Sequence, residues 1–211
     1  MTAYGERPRL RGVTHRYMCF VAFAAGAVLV AAAPADRRLV CAIYAVLLTA
    51  MFGVSAILHV GGWGPRAYGW LRRLDHATIF LCIAGTYTPC VALGLGAAGD
   101  RLLALAWIVC GLGVARALAW PHAPRAITAT AYVAAGWVAV SEVRTLAAAL
   151  PAATIALLLA GGALYTVGAV IYLVRRPDPW PATFGFHEIF HALVVAAAVC
   201  HFAAVTGLAL A

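Results

Sequence analysis

The sequence predicts an all-α integral membrane protein in which seven helices cross the bilayer and little chain lies outside it. Of the 211 residues, 65% are apolar and only 10% are charged, and the mean hydropathy is +0.94. A soluble domain is roughly 45–50% apolar and about 25% charged, so this chain could not cover a water-exposed surface with polar groups. The composition excludes a soluble enzyme, a disordered chain, a coiled coil and a nucleic-acid-binding module.

Seven apolar stretches are each long enough to cross a hydrocarbon core of roughly 30 Å, which requires about 20 helical residues. Seven such spans use about 140 residues, so a single membrane domain covering residues 1–211 is expected. The predicted spans are 15–34, 39–60, 75–96, 101–120, 126–142, 151–174 and 186–208.

Each connection between these spans contains residues that interrupt a helix. The first span also resembles a signal peptide, because arginines precede it and Ala-Ala-Ala-Pro-Ala ends it, but its length favours a retained helix. In chain order the interrupting residues are Pro34 with Asp36, Gly61 and Gly62 with Pro65, Gly99 with Asp100, Pro121 with Pro124, Pro151, and Pro177 with Pro179 and Pro181.

The basic residues predict how the chain is oriented in the membrane. All 15 are Arg, against seven acidic residues, and they lie in short loops, where basic residues accumulate on the cytoplasmic side. This favours a cytoplasmic N-terminus and an external C-terminus, and no nucleic-acid partner is expected. The eleven on the predicted cytoplasmic side are Arg7, Arg9, Arg11, Arg16, Arg66, Arg72, Arg73, Arg116, Arg125, Arg175 and Arg176; the four on the other side are Arg37, Arg38, Arg101 and Arg144.

A few polar residues lie within or at the ends of the apolar stretches. An ionisable side chain inside a span costs roughly 2.5–3.5 kcal/mol, so each is a candidate functional residue. The candidates are Ser55 and His59 near the end of the second span, Asp75 and His76 at the start of the third, His187, Glu188 and His191 at the start of the seventh, His201 deeper in the seventh, and His15 at the start of the first.

Three of the histidines have the spacing and location of metal ligands. His187 and His191 are four residues apart and therefore share one helical face. The predicted topology brings His59 and Asp75 to the same membrane face as this pair. Three neutral imidazoles and one water form a tetrahedral zinc site, in which a carboxylate orients the water or a ligand. The alternative is a set of hydrogen-bonded interfacial histidines without metal.

The other polar residues and the cysteines receive simpler interpretations. Glu188 is about 100° around the helix from His187, so it is expected to point away from the site and to pair with another helix, for example through an arginine. His76 is expected to face elsewhere, and His201 to lie about 15 Å deeper than His191. Free buried thiols are expected for all six cysteines, which are Cys19, Cys41, Cys82, Cys90, Cys110 and Cys200.

Several sequence blocks resemble those of the bacterial hemolysin III family, the prokaryotic branch of the progestin and adiponectin receptor group. They are S-A-I-L-H at 55–59, L-D-H-A-T-I-F-L-C-I-A-G-T-Y-T-P at 74–89, G-G-A-L-Y-T-V-G-A-V-I-Y at 161–172, P-D-P-W-P at 177–181 and F-G-F-H-E-I-F-H-A-L-V-V-A-A-A-V-C-H-F at 184–202.

This resemblance implies seven helices, a cytoplasmic N-terminus and a zinc ion held by three histidines. It assigns ligand roles to His59, His187 and His191, and it places Ser55 and Asp75 in the same site. A similar constellation in alkaline ceramidases hydrolyses a lipid amide. The sequence departs from the family at its first-span motif, where Pro8 and Arg11 replace Glu and Asn and only His15 matches.

The function expected from these residues is zinc-dependent hydrolysis of a lipid amide or ester in a bacterial plasma membrane. Zinc lowers the pKa of bound water to about 7 and polarises a carbonyl. Asp75 would be the general base or position the water, and Ser55 would hydrogen-bond the water or the oxyanion. The alternatives are a structural zinc that clamps helices together, a receptor, a regulator of membrane or ion homeostasis, and cytolysis as the family name suggests.

Overall fold

The computed structural model describes residues 8–211, which form a helical bundle without a strand ladder. Seven of its helical segments are long and apolar enough to cross a membrane, as the sequence predicts. The helices are α1 (Val13–Ala32), α2 (Arg38–Val60), α3 (Pro65–Gly94), α4 (Asp100–Ala119), α5 (Arg125–Gly136), α6 (Val143–Ala149), α7 (Ala152–Val174) and α8 (Phe186–Leu210).

The third helix begins ten residues earlier than predicted, at Pro65 instead of residue 75. Hydropathy detects the part of a helix suited to lipid, whereas the helix itself continues into the polar segment that contains Arg72 and Arg73. Proline suits the first turn of a helix because its missing N–H would have no partner there. Nε of Arg73 donates to the Leu118 carbonyl at 3.0 Å and so joins the start of α3 to the end of α4.

The fifth span is interrupted and extends farther than the predicted 126–142. Helix α5 ends at Gly136, a 3-10 turn follows at Val138–Glu142, and α6 continues to Ala149. The hydroxyl of Tyr87 donates to the Gly136 carbonyl and accepts from the Ala139 amide, both at 2.8 Å. Tyr87 thus provides partners for backbone groups at the break, as a membrane interior requires.

Alternating helix directions place the starts of α1, α3, α5 and α8 at the same end of the bundle as the ends of α2, α4 and α7. We call this end the N-face. The opposite end joins the start of α2 to the end of α8, because Nη1 of Arg37 donates to the Leu208 and Ala209 carbonyls at 3.1 and 3.2 Å. These terminal carbonyls have no partner within their own helix. All six cysteines are free thiols, as predicted.

Candidate metal centre

Three histidines meet at the N-face, one from the end of α2 and two from the start of α8. His59, His187 and His191 each offer a ligand nitrogen, and the three nitrogens lie within 4.8 Å of one another. The four-residue spacing on α8 brings the His187 and His191 rings to a centroid distance of 4.4 Å. The structure therefore contains the three-histidine cluster that the sequence predicts, and this cluster could hold a metal ion.

One pair of nitrogens in the cluster has the spacing of two ligands on a tetrahedral metal ion, which is also the spacing of a hydrogen bond between two imidazoles. Two imidazole nitrogens on one tetrahedral zinc lie about 3.3 Å apart, because each Zn–N bond is about 2.0–2.1 Å. The Nε2 atoms of His59 and His187 are 3.3 Å apart. His191 is only 2% exposed, and its Nδ1 is buried without a hydrogen-bond partner within residues 8–211. Burying a polar atom without a hydrogen-bond partner costs about 1–3 kcal/mol. This nitrogen of His191 is therefore available to bind a ligand or a metal ion.

A glycine before α1 fixes the place of His59. Gly12 has φ +75°, a conformation that glycine adopts readily and other residues rarely do. A Cβ on Gly12 would lie 2.4 Å from Cβ of His59, which is too close for two carbon atoms. The backbone ahead of α1 therefore touches the end of α2 directly. Nothing in the local sequence points to Gly12, because its contact with His59 depends on how the two helices meet.

A fourth histidine lies against the cluster. The ring of His15 is stacked on that of His191, with centroids 3.7 Å apart and planes inclined by 4°. His15 is 3% exposed, and its Nδ1 is 2.8 Å from the Ser55 hydroxyl. The sequence indicates that His15 is a candidate functional residue but assigns it no partner. In the structure it supports His191 and holds Ser55 but does not belong to the three-nitrogen group.

The structure places Ser55 and Asp75, the two predicted catalytic residues, beside the cluster. Ser55 is one turn before His59 on α2 and is buried. Asp75, which α3 contributes, lies close to this hydroxyl. Both residues line the same cavity as the three histidines. An imidazole, a hydroxyl and a carboxylate, those of His15, Ser55 and Asp75, thus lie side by side.

Glu188 pairs with an arginine, as predicted, and does not line the cavity that holds the cluster. Its Oε1 is 2.6 Å from Nε of Arg11, and Glu188 itself is 2% exposed. Its Oε2 accepts the Gly185 amide at 2.8 Å, while Oδ1 of Asp178 accepts the Phe186 amide at 3.0 Å. Two carboxylates therefore satisfy free amides at the start of α8, where negative charge is favoured, and this fixes the turn that carries His187.

The segment before α1 is bound to the loop before α8 by its backbone as well. The Arg9 amide donates to the Ala182 carbonyl at 3.0 Å, and the Leu10 amide donates to the Thr183 carbonyl at 3.1 Å. With the Arg11–Glu188 ion pair, these contacts hold the first and last spans together at the N-face. Arg11, which departs from the family motif, thus has a structural partner in this chain.

The expectation that His76 faces away from the site is wrong. His76 lines the same cavity as the cluster, because that cavity extends from α2 across α3 to α5 and so reaches more than one side of α3. Its Nδ1 is 2.7 Å from the Arg72 carbonyl. His201 lines the cavity as well. Its Nε2 is 3.2 Å from the Leu158 carbonyl, and the Tyr165 ring lies beside its own ring.

The cavity has a volume of about 460 Å³, within the usual range for small-molecule sites. It begins among polar residues at the N-face, passes the histidine cluster and includes His201 from the later part of α8. A Cβ on Gly161 would lie 2.3 Å from the His201 ring, so this glycine provides the space for that side chain. Apolar residues also line the cavity, among them Ile79, Ile83, Val133, Ala169 and Val194.

Comparison with known proteins identifies the family. The model of the family described as "Haemolysin-III related" matches residues 4–202. The chain is 31% identical to "Hemolysin-3" of Bacillus cereus over 154 residues, or 72% of this chain and 67% of that protein. It is also 31% identical to "Hemolysin-3 homolog" of Bacillus subtilis (strain 168) over 133 residues, or 63% of this chain and 60% of that protein.

These alignments cover 67% and 60% of the two relatives' lengths. With seven apolar helices within residues 8–211, the match indicates a multi-pass membrane protein, consistent with a bacterial plasma membrane. The chain belongs to the haemolysin-III related family.

Proposed function

We propose that this protein is a zinc-dependent membrane hydrolase that cleaves an amide or ester bond in a lipid. The observation that carries the proposal is the three-histidine cluster beside Ser55 and Asp75 on the wall of one cavity. Metal-assisted hydrolysis uses protein ligands that hold the metal ion together with nearby groups that move protons and orient water, and histidines, a carboxylate and a hydroxyl can fill these roles. The apolar part of the cavity suits a hydrocarbon chain.

In this proposal His59, His187 and His191 hold the zinc ion. When bound, zinc lowers the pKa of a water molecule to about 7 and polarises the carbonyl that is attacked. Asp75 takes the proton from the attacking water and gives it to the leaving group. Ser55 orients the water or stabilises the oxyanion through its hydroxyl.

The proposed role of Asp75 sets the direction of the hydrogen bonds around Ser55. As a general base Asp75 would be ionised and could only accept hydrogen bonds, so the Ser55 hydroxyl would donate its single hydrogen to that carboxylate. The contact between Ser55 and His15 at 2.8 Å then requires His15 to donate from Nδ1. In this arrangement His15 keeps the serine aligned with Asp75.

A second candidate is a structural metal that performs no chemistry. The cluster joins the end of α2 to the start of α8, and a metal bound there would clamp two helices that are far apart in sequence. This candidate requires neither Asp75 nor the space around the cluster. The two functions therefore differ in the role they give to Asp75.

The experiment that separates them compares Asp75→Asn and His187→Ala with the wild type, purified in detergent. Zinc per chain is measured by emission spectrometry, and hydrolysis by mass spectrometry of lipid amides and esters in micelles. We expect about one zinc per wild-type chain, retention of zinc without turnover in Asp75→Asn, and loss of both in His187→Ala.

Other results would overturn the proposal. Equal hydrolysis by the wild type and Asp75→Asn would remove Asp75 from the mechanism. Zinc binding without hydrolysis of any lipid would favour the structural clamp. Absence of bound zinc after zinc is added would overturn both candidates.

A further inference from the structure

Three arginines line the N-face end of the cavity and come from three different parts of the chain. They are Arg11 before α1, Arg72 on α3 and Arg125 at the start of α5. Of these, Arg11 is neutralised by Glu188 at 2.6 Å. Within residues 8–211, no carboxylate oxygen lies within 4.0 Å of the Arg72 or Arg125 guanidinium. Positive charge is therefore in excess at this end of the cavity.

Arg125 lies near the histidine cluster and has unused hydrogen-bonding capacity. Its Cζ is 5.3 Å from the centre of the Tyr172 ring, and that ring is 5.9 Å from the ring of His187. One aromatic side chain thus separates the guanidinium from a candidate metal ligand. Nη1 of Arg125 is buried and has no hydrogen-bond partner in the described part of the chain. A buried charged donor without an acceptor is costly.

The charged groups near Arg72 and Arg125 are one carboxylate and a further arginine, so they do not neutralise the positive charge of the two guanidinium groups. Asp75 contributes the carboxylate on this wall, and Arg72 precedes it by one helical turn. Behind the wall, Nη1 of Arg116 donates to the hydroxyl of Thr128 at 3.1 Å, while its Nη2 is buried without a partner among residues 8–211. Guanidinium groups bind phosphate and carboxylate with paired, charge-assisted hydrogen bonds.

We propose that the N-face end of the cavity binds the anionic head group of a lipid, a phosphate or a carboxylate, through Arg125 and Arg72. The hydrocarbon chain of this lipid extends past the histidine cluster along the apolar wall that includes Val133 and Val194. The inference rests on the proposed function only in naming a lipid as the molecule cleaved. It narrows the substrate to an acyl lipid whose head group carries negative charge.

The test measures binding of octylphosphonate to the full chain in a neutral detergent, by isothermal titration calorimetry. Metal is first removed with a chelator, so that the phosphonate cannot bind through zinc. The comparison ligands are inorganic phosphate, which lacks the chain, and octyltrimethylammonium, which has the opposite charge. The variants are Arg125→Gln, Arg72→Gln and the control Arg66→Gln, which removes an exposed arginine from the start of the same helix as Arg72.

We expect octylphosphonate to bind at least about tenfold more tightly than either comparison ligand. Arg125→Gln and Arg72→Gln should each weaken its binding about tenfold or more, as loss of a charge-assisted hydrogen bond does, and Arg66→Gln should leave it unchanged. If Arg125→Gln does not fold, Arg125→Lys keeps the charge and should weaken binding less, because lysine lacks the paired donors.

Equal affinity in all variants would overturn the inference. So would equal binding of inorganic phosphate, which would indicate a site for a free anion. Because the measurement uses metal-free protein, it is independent of catalysis. If octylphosphonate binds through Arg125 but the protein hydrolyses no lipid, the anion site is supported and the proposed hydrolase function is contradicted.

Discussion

The imidazole of His15 lies flat on that of His191, with the ring centroids 3.7 Å apart. This contact joins the start of the first span to a candidate metal ligand on the last. The same imidazole contacts the Ser55 hydroxyl through Nδ1 at 2.8 Å. One residue thus supports the ligand cluster with its ring face and the proposed catalytic serine with its ring nitrogen.

Two substitutions separate these roles of His15. His15→Phe keeps a ring against His191 but removes the hydrogen bond to Ser55, so zinc content should stay at the wild-type level while hydrolysis falls about 10–100-fold. His15→Ala removes both contacts and should weaken zinc binding as well. Emission spectrometry and the hydrolysis assay measure these effects. Full activity of His15→Phe would contradict the role assigned to Nδ1.

Gly12→Ala should weaken metal binding without altering any ligand. The new methyl group would meet Cβ of His59 at 2.4 Å, and the backbone of Gly12 has a positive φ, so His59 must move. We expect about a tenfold or greater loss of zinc affinity, measured by competition with a chelator. The matched control is Gly111→Ala, because nothing lies within 4 Å of a Cβ at that position. Equal affinity in the two variants would refute the positioning role of Gly12.

The Arg11–Glu188 pair should contribute measurably to stability. Glu188 is buried, whereas the Arg11 side chain is 21% exposed and partly solvated, so we expect a loss of about 1–3 kcal/mol when either partner is replaced by Gln. Thermal unfolding in detergent measures the effect, with the exposed Arg16→Gln as control. The double variant should lose less than the sum of the single variants. Additive losses would show that the pair is not coupled.

The arginine distribution predicts that the N-face is cytoplasmic and that the chain ends outside the cell. Alkaline phosphatase fused after Ala211 should therefore be active in cells, because this reporter requires export. The same reporter fused after Arg176, beyond the sixth span, should be inactive. The reverse pattern of reporter activity would show that the chain has the opposite orientation, with the histidine cluster at the outer face of the membrane.

The apolar pattern of the sequence was sufficient to predict seven spans, because length and hydropathy are local properties of the chain. It did not predict that the third helix starts at Pro65 or that the fifth span breaks after Gly136. The early start lies in a polar segment that hydropathy does not detect. The break depends on Tyr87, whose hydroxyl reaches from another helix.

The sequence by itself determined the helical membrane fold and the histidine cluster. The four-residue spacing of His187 and His191 and the alternation of helix direction bring these residues to the same end as His59. Only the tertiary structure decided how His15, Gly12, Arg11 and Arg125 relate to that cluster. Their contacts depend on how each helix is rotated and how closely neighbouring helices approach, and both are set by packing between distant segments.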